Sequence, residues 1–550
     1  PAHPVKEHPM SRPSARCTVL ALSASVLVAL TGCTDTSPPA TIPVQTQPNP
    51  GEDAIALPAE SVSAAVTKAV DALPGLIDAA LEQSGVPGLA VAVVHDGEIV
   101  YSDGFGVKTA GTDDTVDAQT VFQIASVSKS LSATAVAKAI TEGAVTWDTP
   151  VVEELPGFAL SDAYVTRNAT IGDYFSHRTG LATGAGDDLE DLGYDRDYIM
   201  EHLYLQPLSA FRSTYNYSNF GITVGAEAAA AALDKPWEDA IDELLFEPIG
   251  MTSSSARYAD FLAQSNRATI HVLVDGEFVP LSERDPDPQS PAGGVSSTVL
   301  DLAAWMNVVL SDGKIAGAEY IDPAALTAAT TGEMISGHPV SNTARTSMYG
   351  FGFNTGTELS GRTSISHSGA FILGAATSYR LVPSLDLGIV TLTNGGPQGV
   401  PEAINAEFLD LVQYGYVTRD WVTDFNAAIG SYYAPTGDLV EQTPPADASP
   451  PAPASDYVGT YTNPYYGELA VSEEAGELRA ALGPDGAYVV TLDPWDADTF
   501  AFTPTGENAP PGSRSSATFS RTGGAVTALT MEFFNRQGLG TWTLAGSGSN

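Results

Sequence analysis

At 550 residues the chain is long enough for two or more domains, each with its own core. Its 66 acidic residues against 24 basic ones leave a formal net charge of −42. Such a surface repels nucleic acid and anionic lipid and excludes both as partners of the folded body. Only Cys17 and Cys33 are present, both near the start, so no disulfide framework can staple the folded part.

Arg12 and Arg16 give a basic start, and Thr18 to Leu30 is an apolar run too short to span a bilayer comfortably. It ends in Leu30-Thr31-Gly32-Cys33, which resembles the lipobox of bacterial lipoproteins. That resemblance implies lipid attachment at Cys33 and a membrane anchor outside the cytoplasm; a plain secretory signal is the alternative. Met10 stands ahead of the basic residues, so residues 1–33 read as an upstream extension plus a lipoprotein-type signal. Residues 34–60, rich in Pro and Thr as far as Pro50, read as a flexible tether.

Residues 61–434 read as one domain. Ser61 to Ser84 has helical spacing, interrupted by Pro74-Gly75. Gly88 to Val94 and Glu98 to Tyr101, split by His95-Asp96-Gly97, predict a hairpin. Helical text runs from Ser128 to about Leu310, and strand text returns at Thr377 to Val382 and Leu387 to Thr393. Strands at both ends with helices between suit a sheet closed by its own termini. A Pro/Ala-rich linker, 435–455, then leads to residues 456–550, whose short β runs and regular turns predict a small all-β barrel or sandwich.

Three short motifs carry chemistry: Ser126-Val127-Ser128-Lys129, Tyr217-Ser218-Asn219 and His367-Ser368-Gly369. Each pattern occurs twice, since Ser311 to Lys314, Tyr461 to Asn463 and His95 to Gly97 match as well. Context separates them. Ser126 opens a helical run, where a serine and a lysine three apart share a face and the helix N-terminus favours developing alkoxide. Gly313 breaks the register of the second serine–lysine pair, His95 is at a hairpin tip, and Tyr461 lies beyond the linker.

The stretch FQIASVSKSLSATAV, with Asp173 to Leu181, Phe246 to Met251 and Pro291 to Ser297, resembles class C-type β-lactamases, their DD-peptidase and D-aminopeptidase relatives and related esterases. The resemblance covers roughly residues 70–430. It implies an α+β fold: an antiparallel sheet of five or more strands flanked by helices, plus an all-α lobe, with the site between them. The C-terminal part resembles the small lipocalin-like barrel appended to many such hydrolases. By the same resemblance Ser126 is the nucleophile and Lys129 and Tyr217 form a coupled base and proton relay, with the choice of base between them open. Asn219 holds the lysine and meets the substrate amide, and the N–H groups of Ser126 and Ala370, beside Gly369, form the oxyanion hole. Many relatives have lysine where His367 stands, so a substrate carboxylate is met more weakly here; a structural bond at the strand edge is the other reading of His367. His177 and Arg178 read as packing residues of a loop.

The chemistry calls for no metal or other cofactor. The expected function is an exported serine hydrolase acting on a small-molecule or peptidoglycan-derived peptide substrate through an acyl-enzyme. A carboxylesterase, or a slow-deacylating penicillin-binding sensor, is the alternative.

Overall fold

The computed structural model describes residues 59–281 and 284–546; Cys33, the basic start and the tether as far as residue 58 lie outside the described residues. Helix α1 (Ala59–Ser84) buries Val62, Val66, Ala69, Leu73, Ile77 and Ala80, a stripe at three- and four-residue steps. It runs through Pro74 unbroken, which corrects the interruption expected from Pro74-Gly75. A proline inside a helix costs about 3 kcal/mol. Leu73 and Ile77, on either side of it, are fully buried, and each contributes about 1.5–3 kcal/mol, so packing holds the helix together.

Strands β1 (Gly88–His95) and β2 (Glu98–Gly106) form the expected hairpin, with Asp96 and Gly97 both at positive φ in its turn. In β1, Leu89, Val91 and Val93 join the core under α1, while Ala90, Ala92 and Val94 join the core on the other face. The middle of the chain supplies α2 (Ser128–Thr141), the short α3 (Asp187–Asp191), α4 (Asn219–Ala232) and α5 (Val299–Leu310). Then come β3 (Met334–Gly337), β4 (Ser347–Tyr349), β5 (Asn354–Thr357), β6 (Thr363–Phe371), β7 (Ala375–Val382) and β8 (Leu387–Thr393), followed by α6 (Val400–Tyr414) and α7 (Trp421–Ile429).

The eight strands form one antiparallel sheet in the order β2-β1-β8-β7-β6-β5-β4-β3. The first hairpin therefore pairs with the last strand, Leu89 opposite Thr393, and the two ends of this unit are stitched together. Helices α1 and α6 cover one face through Leu73, Ile404, Phe408 and Leu409. Helices α2 and α5 cover the other through Leu131, Leu302, Trp305 and Met306. Within the matched stretch Asp173 to Leu181, the Asp173 carboxylate is buried between Arg178 Nε at 2.6 Å and Arg212 Nη2 at 2.7 Å. Burial alone would raise its pKa, but the bonds from Arg212, the Thr170 N–H and Arg178 win and hold it below the usual range.

Beyond α7, strands β9 (Gly459–Asn463), β10 (Gly467–Glu474), β11 (Glu477–Leu482), β12 (Tyr488–Asp496), β13 (Thr499–Phe502), β14 (Ser515–Thr522), β15 (Ala525–Met531) and β16 (Thr541–Leu544) close in sequence order into an eight-stranded barrel. Its strands alternate, with Leu478, Ala480 and Leu482 facing the interior of Tyr461, Phe500, Phe519, Leu529 and Trp542. Residues 435–455 lie along this barrel: Thr436 N donates to Ser513 Oγ at 3.0 Å, Leu439 N to Arg514 O at 3.1 Å and Ser449 N to Asp496 Oδ1 at 2.8 Å. Among the described residues no helix is long and apolar enough to cross a membrane.

Candidate active site

Ser126 lies in a single 3-10 turn, residues 125–127, that runs straight into α2. Ala125 just before it is fully buried and sits in the left-handed region at φ 47°, a strain of about 1–3 kcal/mol for a residue with a side chain. The surroundings impose it. Ser128 Oγ donates to Ala125 O at 2.6 Å and accepts from Val295 N at 3.0 Å, while Thr377 Oγ1 donates to Ile124 O at 2.7 Å. The kink turns Ser126 out of the core at the positive end of α2.

One helical turn on, Lys129 is completely buried. Its Nζ lies 3.0 Å from Ser126 Oγ, 2.8 Å from Asn219 Oδ1 and 2.8 Å from Ala292 O. Burial pulls its pKa down to about 7, against the opposing pull of Asp187 and Glu190. Tyr217 O–H donates to Ser126 Oγ at 2.8 Å, and the Tyr217 ring lies 4.7 Å from Nζ. Burial raises the Tyr217 pKa well above 10, more than the bond to Ser126 lowers it, so this tyrosine is a proton donor at rest.

Tyr217 and Asn219 come together because Ser218 caps α4, its Oγ accepting from Gly221 N at 3.0 Å. His177 braces them: its Nδ1 accepts from Ser218 N at 3.1 Å and its ring packs 4.6 Å from that of Tyr217. Buried, and near Lys129 and His367, the imidazole is held neutral, its pKa well below the usual value.

Strand β6 closes the opposite wall. A Cβ on Gly369 would fall 2.2 Å from Ile124 O and 2.9 Å from Ser126 N, so only glycine lets β6 approach Ser126 this closely. Ala370 follows, paired with Ala376 across the sheet. His367 is 4% exposed with both ring nitrogens engaged: Nδ1 at 2.7 Å from Ser368 O and Nε2 at 2.8 Å from Tyr349 Oη. A carbonyl can only accept, so Nδ1 carries the proton and Nε2 accepts from the tyrosine. Burial, with Lys129 nearby, lowers the His367 pKa to about 3.

The structure therefore brings Ser126, Lys129, Tyr217, Asn219, His367, Gly369 and Ala370 together. The duplicate motifs stay apart from them. Ser311 Oγ donates to Val308 O and Lys314 O in a turn, at 3.2 and 3.0 Å, and Gly313 sits at φ 82°. Tyr461 Oη donates to Tyr457 O inside the barrel, and His95 bonds to Ser63 and Asp386.

Sequence reasoning missed Tyr349, the Ala292 carbonyl and the carboxylates of α3. Ala292 lies in the matched stretch Pro291 to Ser297, which was the available signal; Asp187 carries none, because its loop has no period. Asp187 Oδ2 accepts from Asn219 Nδ2 at 3.2 Å. Burial, with Glu190 and Asp188 close by, raises its pKa to about 8 against the bond from Asn219 and the charge of Lys129. The rest of α3 faces the barrel and the wall of the site. Glu190 pairs with Arg284 at 3.3 Å, and Asp191 accepts from Glu507 N at 3.0 Å and Asn508 N at 2.9 Å. Glu507 in turn accepts from Ile372 N at 2.6 Å, at the turn that ends β6. A barrel loop thus buttresses the strand that lies against Ser126.

The family model described as Beta-lactamase matches residues 73–414, and a domain of unknown function, DUF3471, matches 443–541. The chain is 27% identical over 429 residues to the Unguisins hydrolase ungD' of Aspergillus campestris, covering 73% of this chain and 77% of that one. It is 30% identical over 340 residues to Penicillin-binding protein 4 of Amycolatopsis lactamdurans, covering 58% and 84%. The octameric penicillin-binding protein homologue from Pyrococcus abyssi shares the fold at a TM-score of 0.56 and 18% identity, over 84% of this chain and 98% of that one.

Proposed function

The chain belongs to the Beta-lactamase family and is a serine hydrolase, and from this we propose that it cleaves an ester or peptide-like amide outside the cytoplasm, through an acyl-enzyme on Ser126. The contacts of Lys129 carry the reading. An ammonium can donate to all three of its neighbours, but a neutral amine has only two N–H groups and one lone pair. Ala292 O and Asn219 Oδ1 can only accept, so in the neutral lysine the lone pair must take the proton of Ser126. Deprotonation of Lys129 thereby turns the serine hydroxyl toward a base.

With Lys129 as base, Ser126 Oγ attacks the acyl carbon as its proton passes to Nζ. The N–H groups of Ser126, in a first helical turn with no intrahelical acceptor, and of Ala370 hold the oxyanion. Tyr217 donates to the leaving group and is reprotonated from Lys129. Water then enters by the same route in reverse and releases the acid. The relatives named as a hydrolase and as a penicillin-binding protein support acyl transfer at this site. Parallel assay of p-nitrophenyl esters and D-alanyl peptides tests the substrate class: turnover of neither by a protein that fluorophosphonate labels would contradict it.

The neutral, fully bonded His367 supports uncharged acyl compounds over substrates with a free carboxylate. A charge-assisted bond is stronger than a neutral one by about 1–2 kcal/mol. His367→Lys is expected to shift the ratio of kcat/KM for a matched carboxylate and ester pair toward the carboxylate by about tenfold or more. A native enzyme that already prefers the carboxylate member by that factor would place another cation in the site. For localisation, the lipobox-like Leu30 to Cys33 supports a lipid anchor. Cys33→Ala is expected to move the protein from the membrane to the soluble fraction with unchanged activity on a soluble ester; a variant that still pellets with membranes would point to an uncleaved helix instead.

A further inference from the structure

The amide of Asn219 presents an acceptor at one end and a donor at the other, and what meets the far end decides which faces Lys129. Here Asn219 Nδ2 donates to Asp187 Oδ2 at 3.2 Å while Oδ1 accepts from Nζ at 2.8 Å. With the amide turned over, an N–H would point at the lysine and a carbonyl oxygen at the carboxyl group. The lysine would then lose one of its two fixed acceptors, and its lone pair would no longer be reserved for Ser126.

Asp187 is built into place for this. Gly184 N donates to Tyr217 O at 3.1 Å and Asp187 N to Gly184 O at 3.0 Å, tying its loop to the segment that carries Tyr217 and Asn219. Gly186 sits at φ 95°, and a Cβ there would fall 2.6 Å from the Phe220 ring, so the loop lies flush on the start of α4. At the other end of α3, Asp191 is held by the barrel loop at Glu507 and Asn508. Asp187 Oδ1 is buried with no partner, so the side chain serves Asn219 and is not spent on a structural bond elsewhere.

We propose that Asp187, in its ionised form, which can only accept, is a positioning residue of the hydrolase: it fixes the orientation of the Asn219 amide and so keeps the lone pair of Lys129 for Ser126. This rests on Ser126 and Lys129 acting as nucleophile and base. A displacement of about 1 Å at a reacting group costs up to about 100-fold in rate.

The test is the rate of Ser126 labelling by a fluorophosphonate in a double-mutant cycle. Asp187→Leu, which removes the acceptor and excludes water, is expected to slow labelling about 10–100-fold. Asp187→Asn keeps an acceptor oxygen but adds an N–H donor that can also meet the turned-over amide, so it is expected to slow labelling less than Asp187→Leu does. In an Asn219→Ala background Asp187→Leu is expected to add less than about threefold, because the group it acts through is gone. Asp187→Ala is run beside the leucine variant, with melting curves, so that a folding failure of one leaves the other to decide. Equal slowing in both backgrounds, native-rate labelling of the folded leucine and alanine variants, or a defect in Asp187→Asn as large as theirs would overturn the role. Absence of Ser126 labelling in the native protein would instead overturn the proposed function itself.

Discussion

Ser126→Ala is expected to lower kcat by about 10³-fold or more and to abolish covalent labelling, with the fold intact. The side chain makes two polar contacts, from Lys129 and Tyr217, and both partners keep other neighbours when it is removed: Asn219 and Ala292 for the lysine, the His177 ring for the tyrosine. The strained turn before it survives too, because Ser128, Val295 and Thr377 impose it. Melting curves and a turnover assay on any accepted ester check this. A labelled alanine variant, or label at Ser311, would contradict it.

Lys129→Met is expected to lower kcat by a comparable factor, about 10³-fold, since the proposed base is lost while the packing volume is kept. The native enzyme should also show the lysine in its pH profile. The amine acts as base only when neutral, and its pKa is lowered to about 7. The kcat/KM should therefore rise with pH through about 7 and fall tenfold per unit below it. Lys129→Arg, which stays charged at any accessible pH, should be slow and lack that limb. A native profile flat from pH 5 to 9 would place the base elsewhere. The Tyr217 phenol, raised well above 10, would give a limb on the alkaline side instead.

What was legible in the sequence followed from covalent spacing and alternation. Ser126 and Lys129 meet because three residues make nearly one helical turn, and Tyr217 meets Asn219 through the turn that Ser218 caps. The barrel was readable from runs such as Glu468 to Val471, where every second residue is buried. Pro74 was misread because propensity is a local quantity, and two fully buried neighbours outweighed it. Asp187, Tyr349 and Glu507 could not be found in this way. Each matters through a partner distant in the chain, Asn219, His367 and Ile372 respectively, and no periodic pattern announces such a pair. The charge state of His367 belongs with them: its residue type indicated a mostly neutral ring, but burial and the Tyr349 bond decide how firmly neutral it is.

The acyl-enzyme itself is the most direct object to measure. Native protein mixed with an excess of a p-nitrophenyl ester, quenched in acid within a turnover and digested, should give one peptide heavier by the acyl group, with the added mass on Ser126. An adduct on any other residue, or a pre-steady-state burst of nitrophenol with no adduct on Ser126, would contradict the assignment of this serine as the nucleophile.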